Sequence, residues 1–122
     1  VTNKQLSGSR VLVVEDEMMV LMLIEGLLAD FGCESVTTAA TVDQALALIA
    51  VQTFDVAMLD VTLNGHESYR IADALVARGV PFFFATGYSR RSMNAAYCDR
   101  PVLHKPFQRE KLVDMLTRLL SA

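Results

Sequence analysis

The chain has 122 residues, 52% of them apolar and 20% charged, with a formal net charge of −3. That length buries roughly two thirds of the unfolded surface in one compact domain and leaves no room for a second. The scattered lysines and arginines exclude the electrostatic footprint of a nucleic-acid or anionic-membrane binder. The longest apolar run, Met18 to Ile24, falls far short of the roughly 20 residues of a membrane span.

The chain opens on VTNKQLSGSR, a polar stretch with no signal-peptide core. Residues 1–9 read as a flexible lead-in to a domain over 10–121. Cys33 and Cys98 have no CxxC spacing, which fits a reduced, cytoplasmic, soluble chain better than a disulfide framework. Short runs rich in β-branched and aromatic residues predict strands at 11–14, 34–38, 55–59, 80–85 and 101–104. After the first, Val20, Leu23, Ile24, Leu27, Leu28 and Phe31 share one helical face, stopped by Gly32. Thr41 and Gln44 form a capping box for a second helix, to about residue 50. Residues 68–78, closed by Gly79, form a third. The weakly periodic 89–98 predicts a short or poorly formed helix, and 107–120 the last.

Strands alternating with about five helices specify an α/β fold, a five-stranded parallel sheet covered on both faces. In the run FFFATGYSR, Phe82, Phe83 and Phe84 should alternate between the two core layers. Ligands of such sheets bind beyond the carboxyl ends of the strands. There the first strand delivers Glu15-Asp16, the third Asp60, the fourth Thr86-Gly87 and the fifth Lys105-Pro106. Three carboxylates in one cleft repel by about 4 kcal/mol per pair at ~4 Å and an effective dielectric of 20. A hard divalent cation relieves this, and Mg²⁺, or Mn²⁺ in its place, fits oxygen ligands that share it with a phosphate. Lys105 and the Thr86 hydroxyl suit phosphoryl oxygens, and Asp60, on the middle strand, is the expected nucleophile. Taken singly, each feature has a plainer reading. Glu15-Asp16-Glu17 could serve a helix N-terminus, Asp60 a turn and Lys105-Pro106 a strand stop.

VLVVEDE, MLDVTLNG, FFFATGY and HKPF resemble, in order and spacing, the motifs of two-component response-regulator receiver domains (the CheY-like family) over residues 10–121. The resemblance implies the flavodoxin-like doubly wound strand order 2-1-3-4-5, the order known for that family. It implies that Asp60 is phosphorylated by a histidine kinase or phosphotransfer protein. Asp16 and Glu15 would hold Mg²⁺ together with the Thr62 backbone carbonyl, Thr86 would be the switch hydroxyl, Lys105 the phosphoryl-pairing lysine, and a cis peptide would precede Pro106. The chain would then be no enzyme beyond its own phosphotransfer and autodephosphorylation. PFFFATGY also resembles the FAT GUY subgroup, often single-domain proteins paired with HWE-type or related kinases in alphaproteobacterial stress signalling.

Two positions depart from the family pattern. Val102 stands where many receivers carry an aromatic three residues before the lysine, and Tyr88 is the candidate substitute; Glu15 replaces the commoner Asp. His66 and His104 read as surface or packing residues, and Arg90 and Arg91 as a solvated loop face. Met18, Leu21 and Met22 form a second apolar stripe suited to docking a kinase, or to packing under the N-terminal segment or in a weak homodimer. The output expected is a downstream protein contact, or phosphate flow as a sink or shuttle, with the moving face at residues 88–98. A pseudo-receiver that docks without phosphorylation is the alternative. A haloacid-dehalogenase phosphatase needs an Asp where Thr62 stands, and a flavodoxin needs a phosphate loop that Glu15-Asp16-Glu17 would repel.

Overall fold

A computed structural model describes residues 6–87, 97 and 100–121. In chain order the elements are β1 (Arg10–Val14), α1 (Met18–Asp30), β2 (Ser35–Ala39), α2 (Val42–Val51), β3 (Val56–Asp60), β4 (Thr62–Leu63), β5 (His66–Glu67), α3 (Tyr69–Ala77), β6 (Phe82–Thr86), β7 (Val102–His104) and α4 (Arg109–Ser121). Five parallel strands form the main sheet in the order β2-β1-β3-β6-β7. Counting these strands alone, that is the expected 2-1-3-4-5. Four helices lie among the described residues; the weak fifth, over 89–98, falls outside them except for Tyr97, as do Tyr88, Arg90, Arg91 and Cys98.

The sheet separates two apolar layers. On one side Leu12, Leu59, Phe82 and Phe84 pack with Ile49 of α2 and Ile71 and Leu75 of α3. On the other Val13, Met58 and Phe83 pack with Ile24 and Leu28 of α1 and Leu112 and Leu116 of α4. The three phenylalanines thus alternate between layers, as a pleated strand requires.

Local signals set several boundaries. The amide of Gln44 donates to the Thr41 hydroxyl at 3.1 Å, and the Gln44 side chain accepts from the Ala40 amide at 2.9 Å. Gly32 and Gly79 close α1 and α3 with φ of +89° and +69°, a region glycine enters without a steric penalty.

One expectation is corrected, and two features go beyond what the sequence indicated. Within the lead-in, Leu6 is fully buried in the α1–α4 layer and its amide donates to the Phe31 carbonyl at 3.1 Å. On α1 the buried residues are Leu21, Ile24 and Leu28, so Leu21 belongs to the core and not to an exposed stripe, while Leu23, assigned to the core, is 73% exposed. The α1 sequence is apolar nearly all round, so periodicity alone cannot choose its inward face. Finally, the chain after Asp60 folds into an antiparallel two-stranded ribbon, β4–β5. Asn64 and Gly65 turn it with φ of +50° and +82°, the paired positive φ values for which Asn-Gly is favoured.

Candidate functional site: an acidic cleft bridged by a lysine

The site is assembled by strand ends. β1 runs into Glu15 and Asp16, and β3 ends at Asp60, which sits in register with Ala85 of β6. Thr86 follows one residue further along β6, fully buried, and pairs in register with His104. The next residue, Lys105, donates its amide to the Thr86 carbonyl at 3.0 Å. The Lys105–Pro106 peptide is cis. Glu15, Asp16 and Asp60 each offer a carboxylate oxygen, and these atoms lie within 4.8 Å of one another.

Lys105 joins two of the three acids. Its Nζ lies 2.5 Å from Glu15 Oε1 and 3.1 Å from Asp60 Oδ2. Glu15 is 1% exposed, and its other oxygen accepts the Glu17 amide at 3.1 Å. The longer side chain that replaces the usual Asp therefore spends both oxygens on partners. Asp16 faces the ribbon, where its Oδ2 accepts the Asn64 amide at 2.8 Å.

These surroundings tune the charges differently. Burial pushes the Asp60 carboxyl up to about 6, against the pull of Lys105 and with a further push from Glu15. The Asn64 amide holds Asp16 below the ordinary carboxylate range, against a smaller opposing effect of burial. Burial alone would lower Lys105, but its hydrogen bond to Glu15 and the charge of Asp60 outweigh that and keep it above its usual value.

Three carboxylates against one ammonium leave an excess of two negative charges on hard oxygen donors. This donor set fits a divalent cation such as Mg²⁺. Thr62, the further ligand implied by resemblance, begins β4 opposite Glu67. A methyl group added at Gly87 would meet nothing within 4 Å, so the cleft is open beside the end of β6. His66 and His104 are both exposed, and Val102 is half-buried against the layer that holds Phe84.

Two residues at the site were not singled out from sequence. Asn64 supplies the amide that binds Asp16, and the Asn-Gly pair between TL and HE was the available signal. Ser68 donates its hydroxyl to the Asp60 backbone carbonyl. Its sequence context suggests only a helix cap.

This sheet order, with an acidic cleft and a lysine at its carboxyl edge, defines a receiver fold. The response regulator receiver domain family matches residues 11–117, and the chain belongs to it. None of the curated proteins matches the chain significantly. Among solved structures, SdrG from Sphingomonas melonis Fr1 is 40% identical, with a TM-score of 0.75 over 93% of this chain and 97% of that one. The receiver domain of PhyR from Erythrobacter litoralis is 25% identical, with a TM-score of 0.84 over 94% and 92%. The receiver domain of the sensor histidine kinase PA1611 from Pseudomonas aeruginosa PAO1, solved with magnesium in its active-site cleft, is 27% identical, with a TM-score of 0.82 over 95% and 100%. Similarity to SdrG and PhyR is consistent with the FAT GUY subgroup.

Proposed function

We propose that Asp60 accepts a phosphoryl group from a histidine kinase or histidine phosphotransfer protein, and that the acyl phosphate switches the contacts this receiver makes with other proteins. The observation that carries the proposal is the Lys105 ammonium bridging Glu15 and Asp60 within a cluster of three carboxylates. An Asp60 oxygen forms the new P–O bond as the P–N bond to the donor imidazole breaks, and the imidazole nitrogen keeps the bonding pair. Glu15, Asp16 and Asp60, with the Thr62 carbonyl, would hold Mg²⁺ or Mn²⁺. When bound, that cation offsets charge on the transferring oxygens and orients them. Lys105 can exchange an Asp60 oxygen for a phosphoryl oxygen without leaving Glu15, and Thr86 is the neighbouring hydroxyl. Mostly this is positioning and charge neutralisation in a site already formed. The protein turns over no external substrate and catalyses only its own phosphorylation and dephosphorylation.

The partner surface we favour is α1 and its border with α4. Met18, Met19, Met22 and Leu23 are all more than 60% exposed, and adaptable methionines suit a surface that repacks around a partner. Beside them a groove of about 530 Å³ is lined by Val20, Leu23, Leu27, Pro106 and Phe107, with Lys105 at its edge. A helical phosphodonor, of HWE-type kinase or related origin, lying along this groove would bring its histidine to Asp60.

Intact-mass measurement after incubation with acetyl phosphate and Mg²⁺ tests the reaction. We expect one phosphoryl adduct, dependent on Mg²⁺ and absent from Asp60→Ala. An adduct that persists in that variant would move the acceptor elsewhere, and no adduct with either acetyl phosphate or a phosphorylated histidine donor would leave only a docking role.

A further inference from the structure

Among the described residues, three polar side chains are buried to 1% exposure or less: Glu15, Thr86 and Ser68. The first two stand in the candidate site, and the third is not part of its chemistry. Ser68 precedes α3 where a capping residue would sit, but its φ of −94° and ψ of 13° are not those of an extended cap, and it makes no side-chain cap bond. Its hydroxyl donates instead to the backbone carbonyl of Asp60, at 2.5 Å. Its amide donates to the Val61 carbonyl at 2.9 Å.

These bonds act where β3 leaves the sheet. The chain from Asp60 to Ser68 loops out through the β4–β5 ribbon and returns, and Ser68 fastens the return to the departure. At the far end of the ribbon the Asn64 amide is held by Asp16. The segment carrying both Asp60 and Thr62 is thus pinned at its base by Ser68 and at its tip by an acid of the cluster itself.

We propose that Ser68 is a positioning residue of the cleft. Its hydroxyl fixes the plane of the Asp60–Val61 peptide, and through it the directions of the Asp60 carboxylate and the Thr62 carbonyl toward a hard divalent cation. The proposal shares the metal site with the phosphoacceptor reading, but magnesium binding tests it apart from phosphorylation.

The experiment is a Mg²⁺ titration of the isotope-labelled chain followed by NMR, on wild type, Ser68→Ala and Asp55→Ala. Asp55 accepts the Arg10 amide at 2.8 Å where β1 and β3 begin, at the opposite end of the strands from the cleft, so loss of its side chain lowers Tm and leaves Mg²⁺ affinity unchanged. Loss of a group that orients a metal ligand weakens affinity by about 10-fold or more. For Ser68→Ala we therefore expect Mg²⁺ affinity to fall by about 10-fold in a chain whose spectrum remains folded, with a matching fall in the acetyl phosphate rate. A folded Ser68→Ala that binds Mg²⁺ as tightly as wild type overturns the proposal. If Ser68→Ala does not fold, the wild type decides. Ser68 resonances that shift with the same Mg²⁺ dependence as those of Asp60 support the role, and unperturbed Ser68 resonances overturn it. A wild type that binds Mg²⁺ yet takes no phosphoryl group contradicts the phosphoacceptor reading and leaves this test standing.

Discussion

Lys105 is the residue on which the cleft's charge balance turns. It neutralises a Glu15 side chain that has almost no access to water, and removing one member of a buried pair costs about 3–5 kcal/mol because the other charge is left unpaired. Lys105→Met should therefore lower the stability of the metal-free protein by about 3 kcal/mol. The same change removes the cation that competes with the metal, so Mg²⁺ should bind more tightly while phosphorylation slows. Calorimetric titration beside an acetyl phosphate assay reads both directions, and a weaker Mg²⁺ affinity would show that Lys105 helps to build the metal site. Asp60 adds a pH dependence. Its carboxyl is pushed by burial to about 6 in the metal-free fold, so between about pH 4 and 6 the folded state holds a proton that the unfolded chain has released. Its contribution to stability is present below the unfolded value and is lost as pH rises through 6. Without Mg²⁺, the Tm of wild type should fall relative to Asp60→Asn as pH is raised from 5 to 7. Saturating Mg²⁺ should remove that difference, and parallel profiles without metal would contradict the raised value.

At the scale of elements, α1 separates what packs from what is offered to a partner. Leu21→Ala should cost about 2–5 kcal/mol, as expected for a buried leucine, whereas Met22→Asp, at a 62% exposed position, should stay within about 0.5 kcal/mol. Denaturant unfolding of both variants checks the assignment, and a large loss in Met22→Asp would mean that the exposed face already packs against the protein. Beyond β6, Tyr97 stacks on Tyr69 at 5.7 Å, meets Phe84 edge-on and donates its hydroxyl to Asp73. Tyr97→Phe keeps the rings and loses the charged hydrogen bond, a change of about 1.5–3 kcal/mol. Tyr97→Ala should cost about 3–5 kcal/mol. Elements marked by local chemistry were legible before folding, as Thr41 with Gln44, Gly32 and Gly79 demonstrate. The inward face of α1 was not, because seven consecutive apolar residues from Met18 to Ile24 satisfy several helical stripes at once. The Asn64-Gly65 ribbon was legible in principle, but its strands of two residues each are too short to display alternation.

Across the whole molecule, the parallel sheet and its two core layers followed from strands apolar on both faces, and the strand order from the resemblance to receiver domains. The convergence of Glu15, Asp16, Asp60, Thr86 and Lys105 followed from where those strands end. Ser68 and Leu6 were hidden because their roles depend on tertiary neighbours, a carbonyl at the end of β3 and a turn after α1, and on no periodic pattern. The resulting molecule couples an apolar interior to an acidic edge, so folding must bring together charges that the unfolded chain keeps apart. A divalent cation that binds only the folded cleft should then stabilise the whole domain, by about 2.7 kcal/mol at a concentration one hundred times Kd. For a domain of this size that is on the order of 10 °C in Tm. Asp16→Asn isolates the ionic part of this effect, since the side-chain carbonyl of Asn can still accept the Asn64 amide while the charge is lost. We expect Mg²⁺ to raise the Tm of wild type with the logarithm of its concentration and to leave Asp16→Asn nearly unmoved. An equal rise in the two proteins would place the cation elsewhere and remove Asp16 from the set of metal ligands.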